Sequence, residues 1–79
     1  MLEEAKGDLV VELEIHKAMI GYLKIKLVEA QEKSDIEMIR IIQEQIDFQT
    51  TMMEMVMEEM VLLNYLLYTI VLIQILIMI

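Results

Sequence analysis

Residues 60–79 read MVLLNYLLYTIVLIQILIMI and contain no charged side chain. In an α-helix these residues would extend over ~30 Å, the thickness of the hydrocarbon layer of a bilayer. A segment in lipid must satisfy its backbone hydrogen bonds internally, so a helix is expected despite the β-branched residues. We therefore predict a single transmembrane helix over 60–79, with the rest of the chain on its N-terminal side. Too few basic residues flank this segment to predict its orientation.

Charge is distributed unevenly ahead of this segment. The chain has 79 residues, 14 acidic and 6 basic, with a formal net charge of −8. Nine acids and six bases lie in residues 1–40, whereas residues 41–59 hold five acids and no base. The acidic balance argues against a nucleic-acid partner, because Lys and Arg bind phosphates. The small size, the absence of Cys and the lack of a catalytic motif predict that the chain is not an enzyme and has no cofactor.

Residues 1–59 are predicted to form a soluble helical hairpin with its break at 32–35, EKSD. Ser34 followed by Glu37 fits a capping box, in which the hydroxyl caps the Glu37 amide and the carboxylate reaches back. No Pro or Gly interrupts the chain after this point, so helix 2 is expected to continue unbroken into the transmembrane segment. The predicted boundaries are helix 1 over about residues 2–33, a turn at 33–35 and helix 2 from 35 onward.

Antiparallel folding about Ser34 places side by side residues whose numbers add to about 68. This register brings Lys24 near Glu44 and Glu29 near Arg40, which predicts two ion pairs between the helices. It also ends helix 1 where the charge-free segment begins.

Both helices carry more apolar surface than one partner helix needs. With Ile36 at heptad position a, helix 2 is polar at a, e and b and apolar at f, c, g and d, an arc of about 200°. Helix 1 has two apolar stripes, Leu9, Leu13, Ile20, Leu23 and Leu27 on one and Val11, Ile15, Ala18, Tyr22 and Ile25 on the other. Two helices cannot cover both surfaces, so we predict a cyclic homo-oligomer of about four to six copies.

The polar face of helix 2 predicts an ion path. Every charge after Arg40 is acidic, and Asn64, Tyr65 and Tyr68 continue the same face into the charge-free segment. Polar groups in a span usually face the bundle interior or a water-filled cavity. Rings of carboxylates select cations, and hard ions such as Ca²⁺ prefer carboxylate oxygens. The predicted path residues are Asp47, Glu54, Glu58 and Asn64, with Glu54 and Glu58 as Ca²⁺ ligands. The predicted hydrophobic gate consists of Met57, Val61, Val71 and Ile75.

Simpler interpretations of these residues stay open. An amphipathic helix turns its charges to water without any pore, and Tyr65 and Tyr68 fit ordinary interfacial aromatics. Asn64 and Gln74 fall on one seam, where hydrogen bonds between helices would fix the oligomeric state. With no second His or Cys in the chain, His16 is predicted to be an interface residue rather than a metal ligand.

The pattern resembles de novo designed transmembrane helical assemblies and channels. The resemblance is carried by the absence of Pro and Cys, the Ser34–Glu37 cap, the unbroken long helix and the heptad-spaced polar layers. Within that class, Glu54 and Glu58 are similar to the glutamate rings of designed calcium channels. The predicted fold is all-α: a helical hairpin whose second helix continues as the transmembrane helix, assembled as a symmetric homo-oligomeric bundle.

The predicted function is a homo-oligomeric membrane channel that conducts cations, with Ca²⁺ selectivity as the sharper form of the hypothesis. Its predicted partners are further copies of the chain and membrane lipid. One alternative is a membrane-anchored oligomeric scaffold with a closed core and no conduction. Another is a soluble or aggregated helical protein with no membrane role.

Overall fold

The computed structural model describes residues 2–79, with side chains from residue 3 onward. It contains two helices in this range, α1 over Leu2–Glu32 and α2 over Ile36–Met78. They form an antiparallel hairpin 67 Å long and 15 by 14 Å in cross-section. Because α2 has 43 residues, it alone accounts for this length at ~1.5 Å per residue. The prediction of an all-α hairpin with a long second helix is confirmed.

The turn between the helices is closed by two backbone hydrogen bonds. The amide of Asp35 donates to the carbonyl of Ala30 at 3.0 Å, and the amide of Ser34 donates to that of Gln31 at 3.1 Å. This pair is the Schellman motif, which places one residue in the left-handed region. Ser34 occupies that position with a φ of 55°. It therefore ends α1.

The predicted capping box of Ser34 and Glu37 is wrong. The N-cap of α2 is Asp35, whose Oδ1 accepts a hydrogen bond from the Met38 amide at 3.2 Å. Asp caps a helix about as well as Ser, and Ser34 is held in a left-handed conformation that an N-cap does not adopt. The Glu37 carboxylate pairs instead with Arg40, at 3.3 Å from Nη2. Helix α2 consequently begins one residue later than predicted.

A thin core joins the two helices. Among residues 3–79, three apolar residues are buried, namely Ala30, Ile42 and Val56, at 5%, 5% and 3% exposure. Around them, the first predicted stripe of α1, from Leu9 to Leu27, is partly buried. On α2 the partly buried positions are mainly heptad positions d and g. The second predicted stripe of α1 stays exposed, so α1 covers only one side of the apolar arc of α2.

The register is close to the predicted one, but the predicted ion pairs are wrong. His16 and Gln49, whose numbers add to 65, are hydrogen-bonded across the hairpin. Arg40 pairs within its own helix, with Glu44 at 2.8 Å, and Glu29 pairs with Lys26 at 3.2 Å. Side chains three or four residues apart on a helix are neighbours, so these partners lie nearer than any on the other helix. The hydrogen bond and charge of Glu29 raise the pKa of Lys26 above its usual value.

The chain exposes more surface than a compact protein of its mass. Its accessible surface is 6345 Å², whereas about 5,000 Å² is typical for 9.3 kDa. Part of the excess belongs to α2 beyond the end of α1, where no second helix of the described chain accompanies it. Within the described residues, α2 is the one helix long and apolar enough to cross a membrane, and its most apolar window is unburied.

Candidate functional site

The predicted path residues lie on the face of α2 that α1 leaves uncovered. Asp47, Glu54, Glu58 and Asn64 are all exposed, at heptad positions e, e, b and a. This face is centred ~140° around the helix from the d and g positions that α1 covers. The hairpin therefore presents all four side chains on the same side of the molecule, away from the thin core.

The predicted gate residues extend the same face toward the membrane segment. Met57, Val61 and Val71 are about half-exposed or more, and so is Ile75. Within a single hairpin these side chains do not meet one another, because they succeed each other along one helix. A constriction would require the same residues from several copies.

A shallow groove on α2 brings predicted path and gate residues together. Its lining consists of Glu54, Met57, Glu58, Val61 and Leu62. The groove lies at the boundary where the last charged residues give way to the charge-free segment. Two carboxylates thus adjoin apolar side chains at the depth where a bilayer surface would lie if residues 60–79 span it.

The carboxylates of this face lack basic partners. Among residues 3–79, each ion pair joins two residues of the same helix, and no pair includes Asp47, Glu54 or Glu58. Arg40 is the last basic residue, and it is already paired with Glu37 and Glu44. Like charges one turn apart, as at Glu54 and Glu58, cost a helix roughly 0.2–0.5 kcal/mol. A helix selected for stability alone would favour a base at one of them.

One copy of the chain does not form a complete metal site. In the part of the chain with described side chains, no three His, Asp or Glu residues lie close enough to hold a metal ion. Ca²⁺ takes about six to eight oxygen ligands, and Glu54 with Glu58 supplies at most four. A Ca²⁺ site at these residues would need carboxylates from several copies around an axis.

The polar groups of the charge-free segment divide into two kinds. Thr69 donates its hydroxyl hydrogen to the Tyr65 carbonyl at 2.9 Å, so it is satisfied within its own helix. Across residues 3–79, the side-chain hydrogen bonds do not include Asn64 or Gln74. Both amides are free to contact water or another copy, so the pore-lining and seam interpretations both stay open.

The sequence did not identify Gln49 as part of the hairpin interface. Its Oε1 lies 2.7 Å from Nδ1 of His16, whose side chain is 13% exposed and whose Nε2 lies 3.8 Å from Glu12. This confirms the prediction that His16 is an interface residue. Gln49 stands at position g, among the apolar residues facing α1. The predicted register, with numbers adding to about 68, places Met52 opposite His16, three residues from Gln49. The one signal in the sequence was a polar residue at position g, among apolar residues.

No protein-family model, curated protein or solved structure matches this chain. The function must therefore be inferred from the residues of the chain itself.

Proposed function

We propose that the chain is the subunit of a homo-oligomeric membrane channel that conducts cations. Residues 60–79 span the bilayer, α2 lines the path and α1 braces the part of α2 outside the membrane. This arrangement follows the resemblance of the sequence to designed transmembrane channels. The observation that carries the proposal is one largely uncovered face on α2. It carries Asp47, Glu54 and Glu58 and continues through Asn64 and Tyr65 to Tyr68, with the apolar Met57 and Val61 between them.

Cyclic copies with this face inward stack carboxylate rings at Asp47, Glu54 and Glu58 above an amide ring at Asn64. Several carboxylates around one axis repel each other, and a bound cation relieves that repulsion. Such rings attract cations and exclude anions, and their hard oxygens favour Ca²⁺. Rings of Met57, Val61 and Val71 form constrictions that close by dewetting. The proposal assigns the chain no catalytic role and no cofactor.

Recordings from purified protein in planar bilayers test the proposal. Reversal potentials in asymmetric KCl give the selectivity for cations over anions, and mixed CaCl₂ and KCl give the preference for Ca²⁺. Glu54→Gln and Glu58→Gln should each lower both selectivities, because each removes one charge per copy from the rings.

Glu59→Gln is the matched control. It removes the same charge at nearly the same depth, but position c lies ~100° around the helix from position b of Glu58. Its effect on the reversal potential should be smaller than that of Glu58→Gln. Glu14→Gln, on the outer surface of α1, should leave the reversal potential unchanged. Equal reversal potentials in wild type and both ring variants would remove Glu54 and Glu58 from the path.

A membrane-anchored scaffold is the second candidate, and the unbonded amides of Asn64 and Gln74 favour it, since they suit a closed seam between helices. Reconstituted oligomer without current at any divalent concentration would support the scaffold and reject the channel. A discrete particle purified without detergent would reject both.

A further inference from the structure

One apolar surface of α2 is covered neither by α1 nor by the membrane segment. This surface, the open stripe, runs along heptad positions c and f outside residues 60–79. Its exposed apolar residues are Met38, Phe48 and Met55, and Gln45 and Glu59 lie at its edge at position c. Phe48 is 61% exposed and Met55 is 51% exposed. A second surface, the outer stripe of α1, consists of Val11, Ile15, Ala18, Tyr22 and Ile25, all exposed. A single hairpin leaves both stripes in water.

The open stripe has a defined place around α2. By helical geometry its centre lies ~100° from the d and g positions that α1 covers and ~125° from the acidic face. The surface of α2 is thus divided into three faces. One packs against its own α1, one is acidic, and one is mainly apolar and uncovered. If the acidic face is turned to the symmetry axis of an oligomer, the face that packs against α1 and the open stripe both point away from the axis, one to each side. That is the environment of an inner helix held between two outer helices.

The two stripes border one groove. Ala18, Met19 and Tyr22 of α1 and Ile41 and Phe48 of α2 all line it. The total accessible surface exceeds that of a compact protein of this mass by about 1,300 Å², and a stable interface buries ~800 Å² per partner. Part of this excess belongs to the charge-free segment. Outside that segment the two stripes add large exposed side chains, among them Phe48 at 61% and Tyr22 at 60%.

We propose that the open stripe of α2 is the docking surface for α1 of a second copy of the chain. The α1 helix of that copy contacts it through its outer stripe. Each α1 then lies between its own α2 and the α2 of the next copy. A contact between two open stripes would be isologous, would close as a pair and would leave both outer stripes in water. The heterologous contact covers both stripes and repeats around a ring. This proposal rests on the homo-oligomer of the proposed function, but it does not require that the oligomer conduct ions.

Disulfide cross-linking tests this contact directly, because the chain has no native Cys. If the copies are related by a rotation axis parallel to the long axis of the hairpin, equivalent residues lie at the same height along it. Residues of α1 and α2 whose numbers add to about 65 then also lie at the same height, as His16 and Gln49 do. Val11 and Met55 meet this condition and belong to the outer and open stripes. Two chains, one with Val11→Cys and one with Met55→Cys, would be co-expressed with different tags and purified through both. Each chain holds one Cys, so any disulfide joins two copies.

The expected result is a mixed Val11–Met55 disulfide that forms under mild oxidation. In the control, Glu54→Cys replaces Met55→Cys, one residue away but ~100° around the helix, and the mixed disulfide should fall at least tenfold. A Met55–Met55 product in excess of the mixed one would overturn the proposal in favour of the isologous pair. Equal yields for positions 54 and 55 would overturn it as well.

A second variant avoids cross-linking. Phe48→Asp should reduce the mass of the detergent-solubilised oligomer, measured by light scattering, while the helical circular dichroism stays unchanged, because Phe48 is largely exposed in the single hairpin. An unchanged oligomer mass would contradict the proposal. Current without the mixed disulfide would reject this packing and retain the channel, whereas the disulfide without current would retain the packing and reject the channel.

Discussion

The hydrogen bond between His16 and Gln49 is expected to stabilise the pairing of α1 with α2. Their ring and amide atoms are 2.7 Å apart, and it is the side-chain hydrogen bond that joins the helices within residues 3–79. The perturbation is a double-mutant cycle of His16→Leu and Gln49→Met, both close in volume to the native residues. The free energy measured is that of separating α1 from α2.

The magnitude follows from burial. A neutral hydrogen bond contributes ~0.5–1.5 kcal/mol net, and leaving one partner buried without the other costs ~1–3 kcal/mol. The His16 side chain is 13% exposed, so most of that penalty applies, although Glu12 and water reach its outer edge. Each single variant should therefore lose about 1–2 kcal/mol, while the double variant loses less than either single variant, because no unpaired polar group remains.

Hydrogen exchange of the α1 amides in detergent-solubilised protein is the assay. It reports the local opening free energy directly, and ~1.4 kcal/mol appears as a tenfold faster exchange. Any contacts between copies affect all four proteins alike and cancel in the cycle. A coupling energy below ~0.3–0.5 kcal/mol, the usual deviation from additivity, would refute the idea that this pair holds the hairpin.

Two further predictions concern the turn and the core, with the same exchange measurement. Ser34→Gly should raise the opening free energy by about 1 kcal/mol, because Ser34 is left-handed at a φ of 55°. Asp35→Ala should lower it by ~0.5–2 kcal/mol through loss of the α2 cap. A decrease for Ser34→Gly or an increase for Asp35→Ala would contradict the observed turn. Ile42→Ala, at a residue 5% exposed, should cost at least ~2 kcal/mol, whereas Ile36→Ala, at 80% exposed, should cost less than ~0.5 kcal/mol. Similar losses for both Ile variants would show that the thin core does not hold the helices together.

The hairpin was predictable because its signals are redundant. Apolar periodicity, the absence of Pro and the polar break at 32–35 all indicate two helices with one turn. The cap was mispredicted because Ser34 and Asp35 are both good cap residues. The end of α1 decides between them, because its Schellman motif requires a left-handed residue at position 34. The capping motif was considered for α2 alone, and it therefore did not include this requirement.

The face that α1 covers was only partly predictable. The sequence identified the apolar arc of α2 as too wide for one helix, and α1 occupies one part of it. Which part depends on packing across the hairpin, in which Gln49 is an acceptor placed among apolar residues. The predicted ion pair between Lys24 and Glu44 does not form for a related reason. Exposed charges pair with residues on their own helix, so they carry little information about the register between helices.

The rotation of α2 against α1 links this hydrogen bond to the proposed path. A turn of ~100° in one direction would bury the open stripe and free the d and g positions, and the acidic face would no longer lie opposite α1. Apolar contacts alone resist that rotation weakly, because the arc is apolar across f, c, g and d. Gln49 distinguishes the orientations, since its amide is satisfied by His16 only when position g faces α1. A hydrogen bond that does not involve Glu54 or Glu58 thus helps to fix the side on which those carboxylates are presented. In the proposed channel, its loss should widen the distribution of selectivities among single channels before it lowers their number.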